Sequence, residues 1–235
     1  MRSHTRRYIS YKFIETHDEY VKEMYRPVAS GLLSVEAVEI CLKSMSLNKA
    51  AGVDGIQVEH LMYAHPCVLL ILCKVFNAML TCGYVPDNFA RGIIIPLVKD
   101  KTGDVTKVEN YRGITLSSAI LKLFETCLLH LYSDYLYTSD LQFGFKKGMG
   151  CRNAIFALQS VVDFHIKHGS TVNVCMLGMS RAFDKINHYV LYLKLMKRKV
   201  PAQLLNVLIN WYGKCSVCVK WCSVFLEWFH LSCGV

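Results

Sequence analysis

The segment Val174–Asp184 has the clearest chemical implication of any stretch in this chain. Its apolar run predicts a buried strand, followed by a tight turn and the start of a helix. A strand end of this kind commonly presents a carboxylate that binds a metal ion. Here the strand end offers Gly178, which has no side chain, and Asp184 lies six residues further on. The rest of the chain must show whether this gap is incidental or decides the function.

Carboxylates are scarce in the C-terminal part of the chain. Asp184 and Glu227 are the only acids from Phe164 to Val235, whereas nine Lys or Arg fall in the same stretch. Because a two-metal site needs about three converging carboxylates, these two acids cannot form one. The basic surplus suggests a polyanionic partner, most simply nucleic acid, and a solvated basic face is the alternative.

The cysteines predict a reduced protein. There are eleven, an odd number, and no apolar run follows the basic residues Met1–Arg7. We therefore expect an intracellular protein of the nucleus or cytoplasm that is not secreted. Cys215, Cys218 and Cys222 approach zinc spacing with His230 nearby, but no second pair completes a ligand set. Buried or incidental cysteines are the favoured interpretation.

Length and composition indicate a globular protein. The 235 residues suffice for one large domain or two small lobes, and 53% of them are hydrophobic, which excludes a disordered chain. The formal net charge is +9. The longest apolar run, Cys67–Cys82, is interrupted by Lys74 and Asn77 and is shorter than the ~20 residues that span a bilayer. No membrane association is expected.

Hydrophobic periodicity predicts an α+β fold. Ser34 is a suitable cap for the first amphipathic helix, and Gly83 and Pro86 end the second. Pro96 indicates an edge or a strand end. The predicted helices are Val35–Leu47, Glu59–Leu80 with a break at Pro66, Ser118–Tyr137, Asn153–His168, Phe183–Arg198 and Pro201–Tyr212. The predicted strands are Gly92–Val98, Val172–Met179 and one or two within Val217–Phe229.

Six segments, in order, resemble the reverse transcriptases of non-LTR (LINE-type) retrotransposons. Asn110–Leu116 matches the pattern N-Y-R-x-I-x-L, and Gln142–Gly148 matches Q-F-G-F-R-x-G with Lys146 in the place of the Arg. Leu177–Asp184 matches L-D-x-S-K-A-F-D except at Arg181, which replaces a Lys, and at Gly178, where that family carries its first metal-binding Asp. The other matching segments are Lys49–Ile56, Ile93–Lys99 and Lys122–Glu125.

The resemblance implies a right-hand polymerase made of fingers and a partial palm, with an incomplete antiparallel palm sheet. It implies an N-terminal helical extension over residues 1–47, a fingers-like region over 48–170 and the partial palm over 171–235. The last segment would end at the start of the motif that precedes the Y-x-D-D block. The chemistry of that family is nucleotidyl transfer by two Mg²⁺ ions about 3.5–4 Å apart.

The resemblance also implies roles for individual side chains. Lys99 and Arg112 correspond to finger residues that neutralise the incoming triphosphate, and Arg suits phosphate because of its planar fork. Phe183 corresponds to an aromatic residue beneath the nucleotide sugar, although an ordinary core Phe is the alternative. Asp184 corresponds to an acid that does not bind metal, and we interpret it as a favourable charge at a helix N-terminus.

A further set corresponds to the segment that supports the template strand. Its glycine permits close backbone approach and its cations suit phosphate contact, while a plain turn with surface lysines is the alternative. These nucleic-acid-binding candidates are Gln142, Gly144, Lys146, Lys147 and Arg152.

The departures from the family pattern decide the predicted activity. Gly178 replaces the metal-binding Asp, and the chain contains no adjacent pair of Asp residues. We therefore expect a catalytically inactive reverse transcriptase fragment that needs no cofactor, although the active family uses Mg²⁺. The expected partners are an RNA template and a DNA primer. A basic RNA- or DNA-binding remnant without catalysis is the alternative, and an active polymerase or a scaffold are further hypotheses. Unpaired sheet edges predict poor solubility.

Overall fold

A computed structural model describes residues 2–24, 32–179 and 182–234. The predicted mixture of helices and strands is confirmed. The helices are α1 (Arg2–Met24), α2 (Val35–Lys43), α3 (Val58–Met62), α4 (Cys67–Cys82), α5 (Ala119–Leu131), α6 (Cys151–Lys167), α7 (His188–Lys197) and α8 (Ala202–Tyr212). The strands are β1 (Arg91–Val98), β2 (Tyr111–Leu116), β3 (Ser216–Trp221), β4 (Val224–Phe225) and β5 (Phe229–His230).

The strands form one small mixed sheet in the order β2-β1-β3-β4, with β5 also paired to β3. β1 and β2 are antiparallel, from Ile93 opposite Leu116 to Val98 opposite Tyr111. β1 and β3 are parallel, which requires the long helical connection between them, and the β3–β4 and β3–β5 pairs are antiparallel. The antiparallel sheet that we expected therefore contains one parallel pair.

Pro96 lies where β1 has a neighbour on one side only. The parallel ladder with β3 covers Arg91–Ile94, so only β2 pairs with β1 at Pro96, opposite Gly113. The missing N–H of proline is tolerated at such a position, which is the strand-end environment predicted from the sequence.

Helices α4, α5 and α8 hold the centre of the core. The ring of Phe124 lies 4.9 Å from that of Phe76 and 6.0 Å from that of Trp211, measured between centroids. Leu123 and Leu205 are fully buried beside them. Burying such a side chain contributes about 1.5–3 kcal/mol, so this contact set stabilises the packing of the three helices.

Helix α1 adds a second contact set. Phe13 and Tyr20 are buried, and the ring of Phe13 lies 5.4 Å from the rings of both Tyr189 and Tyr192 on α7. The Tyr20 hydroxyl donates to the carbonyl oxygen of Val200 at 2.5 Å. These contacts join the N-terminal helix to α7 and to the turn that follows it.

The helix boundaries follow the capping residues. The Ser34 hydroxyl accepts the N–H of Ala37 at 3.1 Å, which confirms the predicted start of α2. Gly83 ends α4 with φ 62°, a left-handed conformation that glycine adopts without a steric penalty. The break predicted at Pro66 separates α3 from α4.

The chain divides into two compact units. The first unit contains the described residues up to Tyr135 and from Phe183 onward, and the second contains Leu136–Ala182. The second unit consists of a turn-rich loop, helix α6 and an extended segment. Within the described part of the chain, no side chain of α6 is buried.

Four sequence predictions about local structure are wrong, and one of them is the end of the first amphipathic helix, which was predicted at Leu47 and is found at Lys43. Residues 172–179 were predicted to form a strand, but the structure gives them no strand pairing, and Leu177 is 93% exposed. An apolar pattern does not provide the neighbouring strand that must satisfy the backbone N–H and C=O groups. The helix predicted over Phe183–Arg198 begins only at His188, and the one predicted over Ser118–Tyr137 ends at Leu131.

Among the described helices, none is long and apolar enough to cross a membrane.

Candidate nucleic-acid interface

The β1–β2 hairpin brings two predicted phosphate-binding residues to one end of the sheet. Arg112 lies opposite Leu97 in the antiparallel register. The Lys99 N–H donates to the carbonyl oxygen of Asn110 at 2.8 Å, so Lys99 continues the ladder beyond β1. Lys99 and Arg112 therefore lie on adjacent segments of the same hairpin end, where one polyphosphate or nucleic-acid backbone could contact both.

Asn110 organises the loop between these strands. Its Oδ1 accepts the N–H of Asp100 at 3.0 Å, and its Nδ2 donates to the carbonyl oxygens of Asp100 at 2.9 Å and Asp104 at 3.3 Å. The Tyr111 hydroxyl donates to the carbonyl oxygen of Val105 at 2.9 Å. Sequence reasoning did not assign this positioning role. The available signal was an Asn at the head of a strand, after a loop rich in Asp, Thr and Gly.

Two carboxylates close turns within the same loop. Asp100 Oδ1 accepts the N–H and the hydroxyl of Thr102, and Asp104 Oδ1 accepts the same two groups of Thr106. The hydrogen bonds from the threonine hydroxyl and N–H lower the pKa of Asp100, and the same kind of bonds lower that of Asp104. Both acids therefore stay ionised at the hairpin tip and reduce its positive potential.

The two cations differ in how they are held. The Lys99 ammonium donates to the carbonyl oxygen of Glu109 at 2.7 Å, so it is directed onto the loop. Arg112 is exposed on β2, a strand fixed along its length by pairing with β1. The guanidinium of Arg112 is thus the better placed of the two for bidentate contact with a phosphate.

Phe183 and Asp184 lie in the turn that precedes α7. Phe183 is 54% exposed, and its carbonyl oxygen accepts the N–H of Ile186 at 3.5 Å. Helix α7 starts at His188 and is capped by Asn187, whose Oδ1 accepts the N–H of Val190. The prediction that Asp184 is a helix N-terminal acid is wrong, because the helix begins four residues later. Ser180 and Arg181 of the same motif lie outside the described residues.

The template-supporting candidates lie in the second unit. The Gln142 side-chain amide donates to the carbonyl oxygen of Gly144 at 2.9 Å, which closes a turn. Lys146 pairs with Asp140 at 3.0 Å. Lys147 and Arg152 are exposed, and Arg152 is in the first turn of α6. A surface ion pair is worth at most about 1 kcal/mol, so a phosphate could displace Asp140 from Lys146.

Gly178 has room for a larger side chain. A Cβ placed on it would meet no atom within 4 Å, and its φ lies outside the left-handed region. Packing therefore does not explain why glycine stands here. In the described residues, no three His, Cys, Asp or Glu side chains are grouped as metal ligands would be. The donor set does not fit a two-Mg²⁺ centre, which requires converging carboxylates.

The chain is similar in sequence to reverse transcriptases of non-LTR retrotransposons, which confirms the resemblance seen in the motifs. One is the probable RNA-directed DNA polymerase from transposon BS of Drosophila melanogaster, 25% identical over 202 residues that cover 83% of this chain and 22% of that protein. No model of a known protein family matches the chain.

Two further relatives come from the same fly. The RNA-directed DNA polymerase from mobile element jockey is 27% identical over 201 residues, which cover 81% of this chain and 21% of the relative. The Pol polyprotein from the type-2 retrotransposable element R2DM is 25% identical over 170 residues, which cover 72% of this chain and 15% of the relative. The chain thus spans about a fifth of the length of these curated relatives.

Proposed function

We propose that this chain is a reverse transcriptase domain fragment that binds RNA and does not catalyse DNA synthesis. It would contain the fingers and part of the palm of a right-hand polymerase. The observation that carries the proposal is the combination of the six ordered motifs with Gly178 in the position of the metal-binding Asp. The similarity to retrotransposon RNA-directed DNA polymerases supports the RNA partner and an intracellular place of action.

Retained binding is supported by the cations of both units. In the first unit, Lys99 and Arg112 occupy one end of a rigid hairpin. In the second unit, Lys146, Lys147 and Arg152 lie in or next to a turn-rich loop. We assign phosphate contact to these side chains, template support to Gln142 and Gly144, and contact with a nucleotide sugar to Phe183.

Loss of catalysis is supported by the donor chemistry. RNA-directed DNA polymerases generally use Mg²⁺, a hard cation that prefers carboxylate oxygens. Asp184 is the only acid between Asp163 and Glu227. Because the acids of this region do not fit a centre of two Mg²⁺ ions, we derive no catalytic step for this chain.

Fluorescence anisotropy with a labelled single-stranded RNA oligonucleotide tests the binding. We expect affinity to fall linearly with salt on logarithmic axes, with a slope of about −0.7 for each phosphate neutralised. Arg112→Gln should weaken binding and make the slope shallower by about 0.7. Lys74→Gln removes an exposed cation from α4, away from the hairpin, and is the matched control.

Two outcomes would each overturn a different part of the proposal. No binding by the unmodified chain at low salt would overturn the RNA-binding part of the proposal. Equal effects of Arg112→Gln and Lys74→Gln would instead indicate a diffuse basic surface and would contradict the assignment of Arg112.

A further inference from the structure

One face of the sheet forms the floor of a cleft that is lined by none of the side chains predicted to form a site. The cleft has a volume of about 440 Å³, which is within the range of about 300–1,000 Å³ that is usual for small-molecule sites. Its floor comes from three strands, and its walls come from loop 51–53, from β4 and from the residues that follow β4. The residues that matter to its chemistry are Ile93, Ile95, Leu116, Lys220, Phe225 and Trp228.

The cleft combines exposed rings with cations. Trp228 is 45% exposed and Phe225 is 54% exposed. The Arg91 guanidinium lies 5.5 Å from the centroid of the Trp228 ring, and the Lys220 ammonium lies 5.1 Å from that of Phe225. Each ring therefore has a cation next to it, within the distance at which cation–π attraction acts.

The strand register places a third cation on the same face. Side chains two residues apart in a strand share a face, so Arg91, Ile93, Ile95 and Leu97 are on one side of β1. Arg112 is opposite Leu97 and therefore faces the same way. A row of positive charge thus extends from Trp228 toward the hairpin end.

Acidic groups are few around this face. The five described strands contain no Asp or Glu. Glu227, exposed between β4 and β5, is the nearest acid in sequence to the rings, and Asp54, beside loop 51–53, lines a neighbouring cavity with Arg91 and accepts the Ser118 hydroxyl. The face is therefore complementary to a polyanion that also carries flat apolar groups.

We propose that this cleft binds single-stranded RNA, with an unstacked base on Trp228 or Phe225 and the neighbouring phosphates on Arg91 and Lys220. Exposed aromatic rings beside a basic track are the general means of holding single strands, because every base has a face that stacks. This assignment rests on the proposed RNA-binding function and adds its location. A duplex, whose bases are already stacked, cannot occupy the rings in this way.

Replacement of the rings tests the site. Trp228→Ala and Phe225→Ala should each weaken binding of a single-stranded RNA 12-mer by at least about fivefold, and should barely change binding of a duplex RNA of equal length. Val224→Ala is the control, because Val224 is similarly exposed at 59% but alternates with Phe225 to the other face of β4. It should bind like the unmodified chain.

A second measurement leaves Trp228 in place. In the Trp221→Phe variant the remaining tryptophans are buried Trp211 and exposed Trp228, so RNA that stacks in the cleft should quench the emission of Trp228. The variant that carries both Trp221→Phe and Trp228→Phe should lose the quenching but keep most of the affinity, because a phenyl ring still stacks.

The possible failures are distinguishable. If the unmodified chain does not bind RNA at low salt, the proposed function fails and this site fails with it. If the chain binds RNA but Trp228→Ala retains full affinity and Trp228 is not quenched, the proposed function stands and the cleft assignment is overturned. Equal losses for single-stranded and duplex RNA would also overturn the stacking role.

Discussion

Phe124 and Phe156 lie on helices of similar amphipathic pattern, but their surroundings differ completely. Phe124 is fully buried in the first unit between Phe76 and Trp211. Phe156, in the second unit, is 71% exposed on α6. The comparison shows that an amphipathic pattern identifies the face that can be buried and does not specify what buries it. The first unit has its own apolar core, whereas the apolar side chains of α6 are exposed.

The largest expected difference between the units concerns stability. Phe124→Ala should lower the free energy of unfolding by about 3–5 kcal/mol, because it empties a packed site. Phe156→Ala should change it by less than about 0.5 kcal/mol. Urea denaturation followed by circular dichroism measures both. A large loss for Phe156→Ala would show that α6 contributes to the cooperative core.

Gly52 of the first unit and Gly178 of the second differ in how closely they are packed. A Cβ on Gly52 would lie 2.6 Å from the backbone nitrogen of Ser118, whereas a Cβ on Gly178 meets nothing within 4 Å. Gly52→Ala should therefore destabilise the chain by about 1–3 kcal/mol, and Gly178→Ala should stay within about 0.5 kcal/mol of the original. Thermal unfolding of the two variants gives the values, and equal effects would contradict the difference in packing.

Alkaline pH should destabilise the first unit. Burial raises the pKa of Cys215 to about 11 and that of Tyr132 to about 12. These groups are more readily ionised in the unfolded chain, so stability should fall as pH rises through their unfolded values, about 8.5 and 10, toward the folded ones. Free energies of unfolding between pH 8 and 11 measure the slope. Cys215→Ala should flatten it at the lower end of that range.

The smallest effect concerns thiol reactivity. Cys151 and Cys175 of the second unit are exposed, while Cys41 and Cys127 of the first are buried, and burial raises the pKa of both buried thiols. A thiol reagent at neutral pH should modify the exposed pair in the folded chain and the buried pair only after unfolding. Mass spectrometry of labelled peptides identifies the sites. Early labelling of Cys127 would contradict the packed core.

Local signals in the sequence predicted much of the first unit. Ser34, Gly83 and Pro86 marked helix ends, and the strand predicted over Gly92–Val98 is found as β1. These features depend on neighbouring residues only. The strand β2, which contains Arg112, was not predicted. The strand predicted over residues 172–179 failed because pairing depends on a partner elsewhere in the chain.

Part of the candidate nucleic-acid site was also predicted from local sequence. The motifs led to Lys99 and Arg112 because both lie in short, recognisable segments. The cleft was missed because its walls and floor come from residues 51–53, from β1 and β2, and from the segment around Trp228, more than 100 residues apart. Alternation along β3 indicates that Cys218 and Lys220 share a face, but it does not identify the loop that completes the cleft.

The most direct test of the central claim is primer extension, measured with RNA binding on the same preparation. An RNA template annealed to a DNA primer is incubated with the chain, Mg²⁺ and deoxynucleotides after anisotropy has established binding at low salt. We expect salt-sensitive binding and no primer elongation above a protein-free control. Templated incorporation by this chain would contradict it, because no carboxylate stands at position 178 to hold the ions.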